Sequence, residues 1–171
     1  MRLLARLCRN QSGAAAAEMA LVTPLLVILM FGSAEVGKFF WDEHLVVKAV
    51  RDGARFAGRQ SFASMPCGGP AANEAQIRNL VRYGKPVVTG TDQPRLSYWT
   101  QASTITVAIR CYDNAGTDGA RVYDGLYSER PQVPLVEVSA SVPYTPLLGF
   151  FGVPAGGLTL NAADEAAVFG I

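Results

Sequence analysis

The chain has one histidine, His44, and three cysteines in 171 residues. A multi-histidine metal centre and a histidine-assisted nucleophile therefore have too few members to assemble. His44 itself reads as a solvated residue on the charged side of a helix. Neither GxxxxGK[ST] nor GxGxxG occurs, so nothing cradles a nucleotide phosphate and no cofactor is expected. Charge is scarce as well. Only 17% of residues are Asp, Glu, Lys or Arg, 15 basic against 14 acidic, and the basic ones never cluster beyond the first nine positions, which leaves nucleic acid without a binding surface. The run Asp113, Asn114, Thr117, Asp118 offers oxygen ligands but lacks the alternating acids and distal glutamate of an EF-hand loop, and it reads as a turn with no metal. These shortages point to a structural role rather than an enzyme.

Ionisable groups are missing altogether from Met19 to Ala34 (MALVTPLLVILMFGSA). The segment Ala14–Val36, 23 residues, reaches about 35 Å as a helix, enough for a hydrocarbon core of about 30 Å. Before it, Arg2, Arg6 and Arg9 give the first thirteen residues a charge of +3, while twelve basic against fourteen acidic residues leave the remainder at −2. The positive-inside rule keeps such a leader in the cytoplasm and sends everything after the apolar stretch across the membrane. Lys38, Phe39, Phe40 and Trp41 supply a charge and aromatic rings suited to the far interface, so the span is expected to end near residue 38.

Three fates of this segment are open. A signal peptidase could cut after Ala34, following the small residues Gly32 and Ala34, and release a soluble binding module. The segment could stay uncut as an anchor. Or processing could occur between Gly13 and Ala14 and leave the helix on the mature protein. Glu18 favours the third, because a carboxylate at the start of an apolar run is costly and usually marks a function with a partner. A cut after Gly13 frees the α-amino group of Ala14 and makes Glu18 the fifth mature residue, able to pair with the terminal cation of a neighbour in a water-poor bundle. The alanines Ala14–Ala17 permit close helix contact. Cys8 does not read as a lipoprotein cysteine, since Arg6 and Leu7 stand where small residues are wanted.

Gly13 followed by AAAAE and MALVTPLLVILMFGSAEVGKFF resembles a class III, type IV prepilin-like signal. With HLVVKAVRDGARFAGRQ after it, the stretch over residues 13 to 60 resembles the TadE-like family of tight-adherence (Tad, or Flp) pilus assembly proteins. Met19 stands where that family usually carries an aromatic residue. The resemblance implies cleavage after Gly13 by a prepilin peptidase and a place in the bacterial inner membrane, with the amino terminus cytoplasmic and the head periplasmic. It also implies Glu18 as the acid used in processing or assembly. The implied partners are the peptidase, the major pilin, a sibling minor pilin and the inner-membrane platform of the pilus machine, with this chain acting as a minor pilin or pseudopilin in pilus biogenesis, adhesion or surface attachment.

The expected organisation is a leader over 1–13, a membrane helix over 14–38, an amphipathic helix over 39–60 and an α+β head over 61–171. Phe40, Val47, Val50, Ala54 and Ala57 fall on one helical face among interleaved charges, so the membrane helix should continue outward with a stripe to bury. Pro24, Gly32 and Gly37 are candidate kink points. The connector SFASMPCGGPAA stops it, and a second helix is expected from Asn73, as cap, to Tyr83, with Gly84 as the stop. Period-two patterns then predict four strands of an antiparallel sheet at 95–100, 103–112, 135–144 and 158–169, with an irregular loop between the second and third. Asp164 and Glu165 in the last strand fit an edge better than a catalytic pair. Cys67 and Cys111 would both lie in an oxidising compartment, where two cysteines suggest one bridge, the alternative being two free thiols. An enzyme held at the membrane by the same helix would need polar groups converging in a cleft of the head.

Overall fold

A computed structural model describes residues 11–116, 119–152 and 157–170. The leader arginines and Cys8 lie outside the described residues, as do Thr117 and Asp118 of the oxygen-ligand run. The chain is α+β. Helix α1, Gln11–Gly58, is a single helix of 48 residues, about 72 Å long at about 1.5 Å per residue, and the three candidate kink residues all lie within it. The hydroxyls of Thr23 and Ser33 are satisfied internally. Thr23 donates to the Met19 carbonyl at 2.6 Å and Ser33 to the Met30 carbonyl at 2.9 Å, so neither leaves an unpaired polar group on the apolar face.

The outer half of α1 packs on the head. Val46, Ala49, Val50, Gly53, Ala54 and Ala57 are buried, one face of a 3.6-residue period. Phe40, expected on that face, is instead 54% exposed, because the face turns inward one residue earlier, at Phe39. Small residues dominate the stripe because helix α2, Glu74–Tyr83, crosses closely over it. A Cβ added at Gly53 would stand 2.4 Å from Val81 Cγ2, so only glycine fits there. Gly53→Ala should therefore lower stability by about 1–3 kcal/mol through overpacking, despite the better helix propensity of alanine. Val81→Ala in the same chain should restore part of the loss, as read from denaturant midpoints.

Helix α2 buries Ile77 and Val81 and stops at Gly84, whose φ of 77° is left-handed and whose N–H reaches the Leu80 carbonyl at 2.8 Å. Asn73 is not the side-chain cap expected of it. Its φ of −103° and ψ of 26° lie outside the extended region a cap needs, and its amide donates to Gln60 Oε1 at 2.8 Å instead.

Three strands are present among the described residues, not four: β1, Ile105–Asp113, β2, Gln132–Pro143, and β3, Thr159–Ala167, antiparallel in the order β1-β2-β3. The segment Arg95–Thr100, expected as a strand, is a series of turns. Its backbone is spent elsewhere, with Arg95 N–H on the Arg82 carbonyl, Trp99 N–H on the Leu96 carbonyl, and the Arg82 guanidinium on the Trp99 and Thr100 carbonyls. The residues it buries, Leu96 and Trp99, are three apart, so the apparent alternation of RLSYWT misleads. In β2, Val136, Val138, Ala140 and Val142 alternate inward against α1 and α2, and they meet Ile105 and Leu160 from the flanking strands in one core. Asp164 and Glu165 lie on β3, an outer strand of this sheet.

The pairings orient the head. α1 enters beside the loop after β2, where Lys38 bonds the Thr145 carbonyl, and leaves beside the end of β3, where Phe169 N–H bonds the Gly58 carbonyl. The near end therefore carries the turns before β1 and the β2–β3 connection, and the far end carries the connector after α1 and the β1–β2 loop.

Candidate functional site

Two features qualify: the bare inner part of α1 and the ring of polar contacts where that helix meets the head. Gly13 to Ala34, 22 residues and about 33 Å of helix, is exposed throughout. One helix, Gly13–Gly58, is long and apolar enough to cross a membrane, and none of its most apolar stretch is buried against the rest of the chain. Exposed Leu21, Leu25, Leu26, Ile28, Leu29 and Met30 present far more apolar surface than a water-soluble face tolerates. Gly13, Ala14 and Glu18 all lie within α1, and Glu18 is exposed without a partner among the described residues. The structure brings the expected cut and the expected acid onto one unpacked helix end and does not bring either to the head.

The ring begins one residue past the apolar run. The Glu35 carboxylate accepts from Tyr144 Oη at 2.5 Å and from the backbone N–H groups of Leu147 and Leu148 at 3.1 and 2.9 Å. It thereby satisfies the first turn of the 3-10 helix Leu147–Phe151, as an acid at a helix start should. One turn on, Lys38 Nζ donates to Asp42 Oδ2 at 2.6 Å and to the Thr145 carbonyl at 2.9 Å, and it lies 4.6 Å from the Tyr144 ring centre and 5.1 Å from that of Tyr98. Asp42, only 5% exposed, also accepts from Tyr98 Oη at 2.8 Å. Phe39 stacks edge-on against Tyr144 at 5.2 Å. Thus the aromatic and charged cluster divides: Lys38 and Phe39 hold the head, while Phe40 and Trp41 face outward.

Burial, then the bond to Asp42, raises the Tyr98 hydroxyl above its ordinary range, and burial followed by the bond to Glu35 does the same for Tyr144. A raised folded pKa on an acid means that this stabilisation is complete below the unfolded tyrosine value of about 10 and is lost as pH rises beyond it. The head should accordingly keep a constant denaturant midpoint through neutral pH and weaken above about pH 10, while Tyr98 and Tyr144 resist ionisation in an ultraviolet titration of the folded protein.

Cys67 and Cys111 are bonded to each other, with Cα atoms 5.8 Å apart, and the bridge ties the connector after α1 to β1 at the far end. Asn114, read from sequence as part of a turn, is wholly buried. Its amide donates to the carbonyls of Tyr123, Tyr127 and Arg130, and its Oδ1 accepts from Tyr123 N–H, so one side chain organises the β1–β2 loop. No group of three or more His, Cys, Asp or Glu side chains gathers among the described residues, and His44 is exposed on α1.

An exposed apolar helix long enough to span a bilayer, continuous with the helix that packs on a small α+β head, fits a single-pass membrane anchor. The model of the TadE-like protein family matches residues 13–55, the stem and most of the stripe that packs on the head, so this segment is similar to TadE-like proteins. No curated protein and no solved structure matches the chain.

Proposed function

We propose that the chain is a minor pilin or pseudopilin of a Tad (Flp) pilus assembly system, held in the bacterial inner membrane with its head in the periplasm. The observation that carries this reading is the TadE-like match over an exposed helix in which Gly13, Ala14 and Glu18 keep the spacing of a prepilin-like processing site. A prepilin peptidase cuts after Gly13. The stem then joins a bundle with the major pilin or a sibling minor pilin and meets the inner-membrane platform, its apolar face packing against theirs and Glu18 neutralising a terminal amine so that subunits sit in register. The head initiates, caps or guides assembly.

The mass of the mature chain tests this. A chain beginning at Ala14 supports it. One beginning at Glu35 makes the protein a released soluble module, and one beginning at Met1 makes it an uncut anchor. Glu18→Ala should impair processing or assembly while the head's near-ultraviolet dichroism stays unchanged, since Glu18 is exposed and has no contact with the head among the described residues. Normal pili from that variant would remove the assigned role.

A further inference from the structure

We propose that the β2–β3 connection, residues 145–152, is a second membrane contact, seated in the headgroup boundary of the leaflet from which the stem emerges. The inference rests on the reading of the stem as a membrane span. Glu35, which follows directly on the last residue of the run without ionisable groups, accepts hydrogen bonds from Leu147 N–H and Leu148 N–H, and Lys38 holds the Thr145 carbonyl. The first turn of this connection is thereby fixed level with the point where the stem leaves the hydrocarbon. Its chemistry suits that level. From Thr145 to Gly152, and again from Gly157 to Ala163, there is no ionisable residue, whereas the loop at the far end of the same sheet carries Arg121, Asp124, Glu129 and Arg130.

Exposure points the same way. Leu147 is 52% exposed and Leu158 54%. Trp41, 69% exposed, lines one groove with Leu147, Lys38 and Asp42, and Phe40, next to Trp41 in the chain, is 54% exposed, so a band of exposed aromatic and aliphatic side chains stands at the outer end of the stem. Of the acids here, Glu35 has three donors on its carboxylate, and Asp42, which lines the same groove, is 5% exposed and held by Lys38 and Tyr98, so both tolerate a poorly hydrated surrounding better than a bare charge. Lipid covers such a band as soon as the stem is inserted, without waiting for another subunit.

The test uses the full chain with Cys8→Ser, reconstituted at high lipid excess into vesicles of phosphatidylcholine and phosphatidylglycerol. An environment-sensitive fluorophore is placed in turn through Leu147→Cys, Val122→Cys in the far loop, and Val27→Cys in the stem. Quenching by nitroxide on the acyl chains should be at least about threefold stronger at position 147 than at 122, with position 147 shielded from aqueous iodide. Equal behaviour of 147 and 122, with 27 still quenched by lipid, would overturn this inference alone. Protection of 147 that appears only at high protein density would also overturn it and assign the band to a second copy of the chain. A stem label untouched by lipid nitroxide would remove the membrane span itself, and this contact with it.

Discussion

Replacing Cys67 or Cys111 with serine lowers the unfolding free energy of the head by about 4 kcal/mol, the chain-entropy value for a bridge that closes a loop of this size. The bridge links residues 44 apart in sequence. Cys67 is exposed and Cys111 half-buried, so their replacement opens no cavity in the core, and the loss is the freedom returned to the unfolded chain rather than packing. Against a domain stability of about 5–15 kcal/mol, this is a large fraction. Reduction of the unaltered protein should match either single substitution, and the double substitution should cost no more than one alone, because all three break the same covalent link. Denaturant unfolding of the head with and without reductant measures it. A change below about 1 kcal/mol would mean that the connector is held by Met65 and Phe62 packing alone.

Asp42→Ala should cost about 3 kcal/mol or more, because it strands two partners rather than removing one contact. The Lys38 ammonium would keep only the Thr145 carbonyl and two ring faces, and Tyr98 Oη would lose its acceptor. Asp42→Asn keeps an acceptor for Tyr98 and should recover part of the loss, whereas Lys38→Met, which removes the charge that Asp42 faces, should couple strongly with it in a double-mutant cycle. Hydrogen exchange would locate the damage. Amides of the turns around 95–104 and of the 145–149 segment should exchange faster, and the far end, held by the disulfide and Asn114, should not change.

The long apolar helix was legible from sequence because composition marks it: sixteen residues run without an ionisable side chain. The stripe after it was legible in outline, but Val46, Ala49 and Gly53 were missed, since small residues carry little signal until a crossing helix shows why they must be small. Period two found β1, β2 and β3 to within a few residues. It failed at Arg95–Thr100, where Arg82 supplies from a different element the donors that a neighbouring strand would otherwise provide. The ring of Glu35, Lys38 and Asp42 was hidden for a similar reason. Each looked like an ordinary interfacial or solvated charge, and their partners Tyr98 and Tyr144 lie 56 and 109 residues away in the cases of Asp42 and Glu35. The spacing of three and four residues on one helical face was the available signal. Asn114 gave none, because a turn asparagine and a buried organiser look identical before the loop closes around them.

The course of α1 across the head has a mechanical consequence. The helix enters at the Lys38–Thr145 bond and finishes at the Gly58–Phe169 bond, so it lies lengthwise along the layer it packs on. A tug on the stem is then resisted by every contact along that seam at once, as sliding, instead of peeling them one after another. Load applied along the axis of α1 therefore meets the stiff direction of the contact.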